Sequence, residues 1–365
     1  GGAAAAAAPQ LDIVAILDEM KPKINKALEH VVPRVFTEEF MRENYGDARY
    51  SYDCASITAA ISNPTWDILD RGGKRWRPAL LLLITEALNG DVDAAMGFVA
   101  LCEIVHNGTL AVDDIEDDSE LRRGKKCLHL IYGVDVAINA GNAMYYLPLT
   151  VLKNMRGKID DSIIIACYEV YSQEMINLHF GQGLDIWWHS GKKTDSEPTE
   201  DHYLQMCAFK TGTLARLSAK VAALIAGADK EQVEAIGKFA ETIGVAFQIQ
   251  DDILNLVGDK FGKQKGVGED IHEGKRTLMA LHCLQHAPEK EREELRSILL
   301  AHPDDQKTID RAIDIIKSTD SINYARRRAK ELMEGAWADI DAKLKPSEAK
   351  DKLHAFAKYL IDRDI

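Results

Sequence analysis

The sequence predicts an all-α fold, a single-domain helix bundle. Three observations carry that prediction: apolar residues recur at helical spacing, alternating β-branched runs are scarce, and Gly, Pro and Asn breakers separate the periodic stretches. Ile13, Ile16, Leu17 and Met20 share one helical face. Ala222, Ile225, Val233, Ile236, Phe239, Ile243 and Phe247 continue the rhythm, and Ile309, Ile313 and Ile316 repeat it near the end. The breakers are Asn63-Pro64, Arg71-Gly72-Gly73, Asn89-Gly90-Asp91, Ser190-Gly191-Lys192-Lys193 and His302-Pro303-Asp304. Roughly a dozen helices are expected, with long loops at 189–200 and 258–270. No linker-like composition shift interrupts 11–365, so one domain is expected there. Gly1-Gly2 and the six alanines after it lack the basic flank and long apolar core of a signal peptide. Residues 1–10 read as a low-complexity or vector-derived terminus and stand outside the fold reasoning.

Composition excludes several classes. The chain has 365 residues, 46% of them apolar, enough to bury a full core. With 28% charged residues and only 10 prolines it is neither collagen-like nor wholly disordered. Its net charge of −13 argues against a nucleic-acid partner and against loose docking on anionic lipid. The longest clear apolar run, Pro78 to Ile84, is far below the ~20 residues of a bilayer span, so no transmembrane segment is expected. The six cysteines are irregularly spaced with no CxxC pair, which predicts neither a disulfide framework nor a zinc site. A reducing, cytoplasmic setting is expected.

Two acidic clusters point to chemistry. Val112-Asp113-Asp114-Ile115-Glu116-Asp117-Asp118 follows an apolar helical segment, Ala95 to Val112. Asp113 and Asp117 are four apart and share a helix face, where like charges repel. A solvated acidic helix end is the plain alternative, but these acids follow a buried-looking helix and precede Leu121-Arg122-Arg123-Gly124. Hard carboxylate oxygens hold Mg²⁺, Mg²⁺ holds phosphate oxygens, and arginine forks bind the remaining ones. Phe247-Gln248-Ile249-Gln250-Asp251-Asp252-Ile253-Leu254-Asn255 repeats the design 138 residues later. If the two helices face each other, their carboxylates line opposite walls of one cavity. Divalent ions bridging those walls to a diphosphate would reverse the repulsion of an anionic substrate.

The basic partners follow. Gly72-Gly73-Lys74-Arg75-Trp76-Arg77-Pro78 opens a helix, with Pro78 in its first turn. Cations there oppose the macrodipole, which an anion held at that end would explain. Lys210-Thr211-Gly212-Thr213 interrupts a helical stretch, and His106 lies seven residues before Asp113 on about the same face.

Together these residues resemble the trans-isoprenyl diphosphate synthases, the polyprenyl synthetase family, from about 60 to 280. The motifs are Gly73-Lys74-x-x-Arg77-Pro78, His106, Asp113-Asp114-x-x-Asp117 with Arg122-Arg123-Gly124, Lys210-Thr211-Gly212, and Phe247-Gln248-x-x-Asp251-Asp252. The form Asp-Asp-Ile-Glu-Asp-Asp-Ser, and the loop from Glu269-Asp270 to Glu273-Gly274-Lys275, resemble geranylgeranyl-type members. The resemblance implies an isoprenoid-synthase bundle with a central cavity, usually homodimeric. It implies a Mg²⁺-dependent head-to-tail condensation of isopentenyl diphosphate with an allylic diphosphate, using two to three ions, with Mn²⁺ as a substitute. Carried over by position, Asp113, Asp117 and Asp251 are metal ligands, supported by Asp114, Asp252 and Asn255. With Lys210, the five aspartates form the catalytic set. Arg122, Lys210, Thr211, Gln248, Lys265 and Lys275 contact the allylic diphosphate; Lys74, Arg77, His106 and Arg123 form the isopentenyl diphosphate site.

Departures from the family pattern are Asn255, where many members have Asp, and a loop that leaves Lys263 or Lys265 open as the contact. The tail Tyr359 to Ile365 lacks a final basic residue, so no cationic C-terminal lid is expected. A chain-length floor is sought upstream of Asp113, where Thr109, Gly108 and Val105 are all non-aromatic. A geranylgeranyl product is expected, with geranylfarnesyl or longer as the alternative. Tyr145 and Tyr146 are either a deeper floor or ordinary core aromatics; Trp187-Trp188 is either core or a cover for the mouth. A regulatory subunit should have lost acids from a cluster, and a terpene cyclase should lack Lys74, Arg77 and His106.

Overall fold

The computed structural model describes residues 11–258 and 267–363. Eleven helical segments frame its interior: α1 (Ile13–Glu29), α2 (Trp76–Ala87), α3 (Ala100–Glu116), α4 (Val134–Tyr146), α5 (Asp161–His189), α6 (Glu200–Lys210), α7 (Gly212–Ile225), α8 (Lys230–Val257), α9 (Glu269–Glu273), α10 (Ser321–Asp341) and α11 (Glu348–Asp362). Helices are more numerous than the dozen expected, because several periodic stretches break into one- or two-turn pieces. The apolar segment read as Ala95 to Val112 is one case. It divides into Val92–Met96 and α3, with a turn at 97–99.

That segment also corrects the reading of apolar runs. The stretch Val92–Glu116 has the length and mean hydropathy, 1.4, of a membrane span, yet 67% of its most apolar window is buried inside the protein. A helix apolar on all sides belongs in a protein core as readily as in a bilayer. α2 shows the same pattern: every residue from Trp76 to Thr85 is buried.

α8 is the central helix, packed between α7 and α10, with α2 against α7 and α5 against α6. It starts at a capping box in which Asp229 accepts from the Gln232 amide and the Gln232 side chain bonds back to the Asp229 amide. The apolar faces of the bundle merge into one core. Two glycines set helix distances that matter for the interior. A Cβ on Gly108 of α3 would lie 2.8 Å from the Gly141 carbonyl oxygen and 2.8 Å from Met144 Cβ of α4. A Cβ on Gly181 of α5 would lie 2.4 Å from the Lys210 backbone nitrogen. Only the missing side chain lets these backbones approach.

Strand structure among the described residues is one tiny antiparallel hairpin, β1 (Leu121–Arg122) and β2 (Lys125–Lys126). Arg123 and Gly124 both take positive φ, 51° and 78°, as a two-residue hairpin turn of matching twist requires. This turn brings Arg123 back onto the Gly72 carbonyl. The loop at 190–199 is present as expected. The second expected loop lies mostly outside the described residues, and its end is helical, forming α9.

Candidate active site

A cavity of about 840 Å³ opens between α2, α3, α5, α6 and α8, and both acidic helices line it. Asp113 and Asp117 come from α3, and Asp251 and Asp252 from α8. The facing arrangement that the two motifs required is therefore present.

On the first wall, Asp113 accepts a hydrogen bond from Gln182 Nε2 at 2.6 Å and lies 3.6 Å from Lys210 Nζ. Asp117 lies 3.2 Å from Lys275 Nζ and 3.7 Å from His189 Nε2. Asp185 of α5, buried, stands 2.8 Å from both Lys210 and Lys275. One carboxylate thus braces two cations over the acid pair. Burial works to raise Asp185 and Asp113, but the two lysines hold both below the usual carboxylate range. Burial and the charge of Asp113 push Asp117 up to about 7. Lys210 is set in place by the break at Thr211 that ends α6 and by the close approach of its backbone to Gly181.

Asp114 departs from its expected role. It is buried but absent from the cavity lining, and its two oxygens grip Arg122 at 2.5 and 3.0 Å. Successive helix residues are about 100° apart, so Asp114 cannot share the face of Asp113. It orients Arg122, which does line the cavity.

On the second wall, Asp252 accepts from Tyr203 Oη at 2.7 Å and from Gln248 Nε2 at 2.8 Å. Burial raises it to about 7, with Asp251 adding to the effect. Gln248 in turn accepts from Thr211 Oγ1 at 2.8 Å, so Thr211, Gln248, Asp252 and Tyr203 form one chain. Asn255 also lines the cavity, and its Oδ1 accepts from the Asp270 amide at 3.0 Å, tying α9 to α8. No cationic C-terminal lid is expected from a tail without a final basic residue, yet Arg363, two positions before the end, lines the cavity. Its guanidinium lies 4.0 Å from the Phe247 ring centroid, with Nη2 3.5 Å from Asp251. Long-range folding of α11 brings it there, which no local pattern in the tail announces.

Lys74, Arg77, His106 and Arg123 line the same cavity. Lys74 donates to Tyr359 Oη and sits 4.8 Å from that ring. Burial, with Arg363 nearby, lowers Lys74 to about 8. Arg77 lies 4.3 Å over Trp76, its Nε has no hydrogen-bond partner among the described residues, and burial lowers it to about 10. Burial and the surrounding arginines push His106 well below its ordinary range, so its imidazole is neutral. Among the described residues no side chain caps the amides that open α2. Lys265, and Lys263 with it, lies outside the described residues.

The chain-length residues separate. Thr109 and Leu110 line the cavity, whereas Gly108 and Val105 do not. Thr109, four residues before Asp113, is about 40° from it around the helix; Gly108 is about 140° away and faces α4 instead. Tyr145 lines the cavity, edge-on to His179 at 6.0 Å, while Tyr146 is 70% exposed and forms no floor. Trp188 is core; Trp187 is exposed under Lys192.

Asp185, Gln182, His189, Tyr203 and Arg363 escaped the sequence reading. The one available signal was a carboxylate and an amide, Gln182 and Asp185, inside the long helix α5.

The chain matches the polyprenyl synthetase family over residues 58–316. The chain belongs to the polyprenyl synthetase family. It is 34% identical over 298 residues to a short chain isoprenyl diphosphate synthase of Methanothermobacter thermautotrophicus, covering 81% of this chain and 88% of that one. It is 34% identical to a geranylgeranyl pyrophosphate synthase of Macrophomina phaseolina, covering 71% and 75%. Among solved structures, the geranylgeranyl pyrophosphate synthetase of Pyrococcus horikoshii is similar at a TM-score of 0.82 and 30% identity, covering 96% and 98%. As a polyprenyl synthetase, the protein is a prenyltransferase that builds prenyl diphosphates by condensation.

Proposed function

We propose that this polyprenyl synthetase is a Mg²⁺-dependent geranylgeranyl diphosphate synthase, joining isopentenyl diphosphate to an allylic diphosphate. The observation that carries the reading is the convergence of Asp113, Asp117 and Asp251 on the cavity that also holds the Lys74, Arg77, His106 and Arg123 cluster. The donor set fits magnesium. The ligands are hard carboxylates, and among the described residues no three acidic, His or Cys side chains converge as a preformed metal cage. Mg²⁺ favours that arrangement, since it keeps waters and substrate phosphates beside one or two carboxylates. When bound, it supplies charge neutralisation for the departing diphosphate.

The chain's own groups do the rest. Asp113, Asp117 and Asp251 would hold the metal, while Lys210, Lys275 and Arg122 take the allylic diphosphate with Thr211 and Gln248 beside them. Their charges are fixed before ionisation begins, so they stabilise leaving-group charge without reorganising. Asp252 tunes that wall through Gln248. Lys74, Arg77 and Arg123 hold the second diphosphate, and neutral His106 adds a hydrogen bond. Leu110, Val112, Leu178 and Leu214 keep water from the cation. Thr109 leaves the wall above Asp113 open, and Tyr145 closes it further on, which supports a product longer than farnesyl.

Incubation with Mg²⁺, labelled isopentenyl diphosphate and allylic starters of increasing length, followed by product sizing, tests the reading. Products should require both substrates and end at twenty carbons. Pyrophosphate release from the allylic substrate alone would instead identify a cyclase. We also propose a homodimer, supported by exposed Ile165, Ile176, Phe180 and Trp187 along one face of α5. Sedimentation should give twice the chain mass of 40.5 kDa. A cytoplasmic location fits the six unpaired cysteines, five of them buried.

A further inference from the structure

One acid stands among the cations of the Lys74–Arg77 corner. Glu103 of α3 lines the cavity there and is 2% exposed. Its Oε1 accepts from Arg75 Nη1 at 3.2 Å and from Asn107 Nδ2 at 3.1 Å. Arg75 is itself buried and takes a left-handed backbone, φ 55°. Its guanidinium also donates to the Leu69 carbonyl at 2.6 Å, the Gly72 carbonyl at 3.2 Å and Asn25 Oδ1 at 3.0 Å. Asn107 continues the chain, its Oδ1 accepting from Arg123 Nη1 at 3.2 Å. The same Arg123 nitrogen reaches the Gly72 carbonyl at 2.9 Å. Glu103 therefore closes a loop of hydrogen bonds through Arg75, Gly72, Arg123 and Asn107.

That loop carries two like charges, and Arg77 adds a third on the same cavity. Arg75, Arg77 and Arg123 crowd one wall, and without a counter-charge they would spread apart. A fully buried carboxylate with two donors on one oxygen is costly unless the cations repay it. Removing it leaves several guanidiniums facing one another. We propose that Glu103 is a positioning residue for the isopentenyl diphosphate subsite, holding Arg75 and Arg123 beside Arg77 at the spacing a diphosphate requires. The proposal rests on the functional reading above, which assigns that corner to isopentenyl diphosphate.

Charge alone predicts the opposite effect. Neutralising Glu103 makes the corner more positive, which by itself tightens anion binding. Positioning predicts weaker binding, so the sign separates the two. The test is calorimetric titration of the full chain with isopentenyl diphosphate in EDTA, where the metal-dependent wall contributes nothing, together with KM for each substrate under Mg²⁺. Glu103→Gln should raise the isopentenyl diphosphate Kd and KM at least tenfold and leave the allylic KM within twofold. Asn107→Leu cuts the link to Arg123 without changing charge, and should weaken isopentenyl diphosphate at least threefold. Unchanged or tighter binding by Glu103→Gln overturns the proposal, as does an equal loss for both substrates. If Glu103→Gln does not fold, as seen by circular dichroism, Asn107→Leu decides alone: a selective loss supports the proposal, and no loss overturns it. Wild-type protein that fails to condense the two substrates would sink the functional reading instead.

Discussion

Adjacent residues on α3 should respond to substitution in opposite ways. Gly108→Ala adds one Cβ that would sit 2.8 Å from the Gly141 carbonyl oxygen and 2.8 Å from Met144 Cβ. Comfortable contact is about 3.5–4.0 Å, so α3 and α4 must separate by roughly 0.7 Å or more. Both neighbours lie on or next to rigid helix backbone and cannot swing aside. Overpacking of this kind costs about 1–3 kcal/mol, against about 1 kcal/mol gained from replacing a mid-helix glycine. The net is a loss of up to roughly 2 kcal/mol. With unfolding entropy near 2.1 cal/mol/K per residue over 365 residues, Tm should fall by up to roughly 3 °C. Product length should stay unchanged, because Gly108 does not line the cavity. Thr109→Phe should do the reverse, shortening the product with little change in Tm, since its side chain enters open cavity. Differential scanning fluorimetry and product sizing by reversed-phase chromatography read both effects. A shorter product from Gly108→Ala at unchanged Tm, or an unchanged product from Thr109→Phe, would refute the assignment of the two faces.

Three further outcomes are expected. The Lys74 ammonium loses its proton as pH rises through about 8, so kcat/KM for isopentenyl diphosphate should fall above that pH; Lys74→Arg should move the fall upward because guanidinium stays charged, and an unmoved limb would show that another group causes it. Asp185→Asn removes the buried counter-charge shared by the partly buried Lys210 and Lys275 and should cost about 3 kcal/mol, a fall of roughly 4 °C in Tm; a shift below 1 °C would contradict the bracing role. Asn255→Ala removes the acceptor for the Asp270 amide, costing about 1 kcal/mol, while the Mg²⁺ concentration for half-maximal activity stays within about twofold; a tenfold rise would make Asn255 a ligand after all.

By itself the sequence determined the fold class and the chemical vocabulary of the site. Helical periodicity, two acid clusters at helix ends and basic loops in order are local patterns, and local patterns survive in a linear string. Periodicity also says which residues share a face: Asp113 with Asp117, and Asp113 with Thr109. It does not say what that face meets. Gly108 and Asp114 each sit one position from a cavity-lining residue, yet one packs on α4 and the other grips Arg122. Only the tertiary structure decided these, because the neighbour is supplied by a different helix. The same holds for Lys74 with Tyr359, 285 residues apart, and Asp251 with Arg363, 112 apart. Asp185 and Glu103 are hard to read from the sequence for a related reason: neither belongs to an acid cluster, and the cations each meets are not on its own helix. Their meaning lies in cations brought from α6, from the Arg75 loop and from the segment after α9, and folding alone makes those meetings.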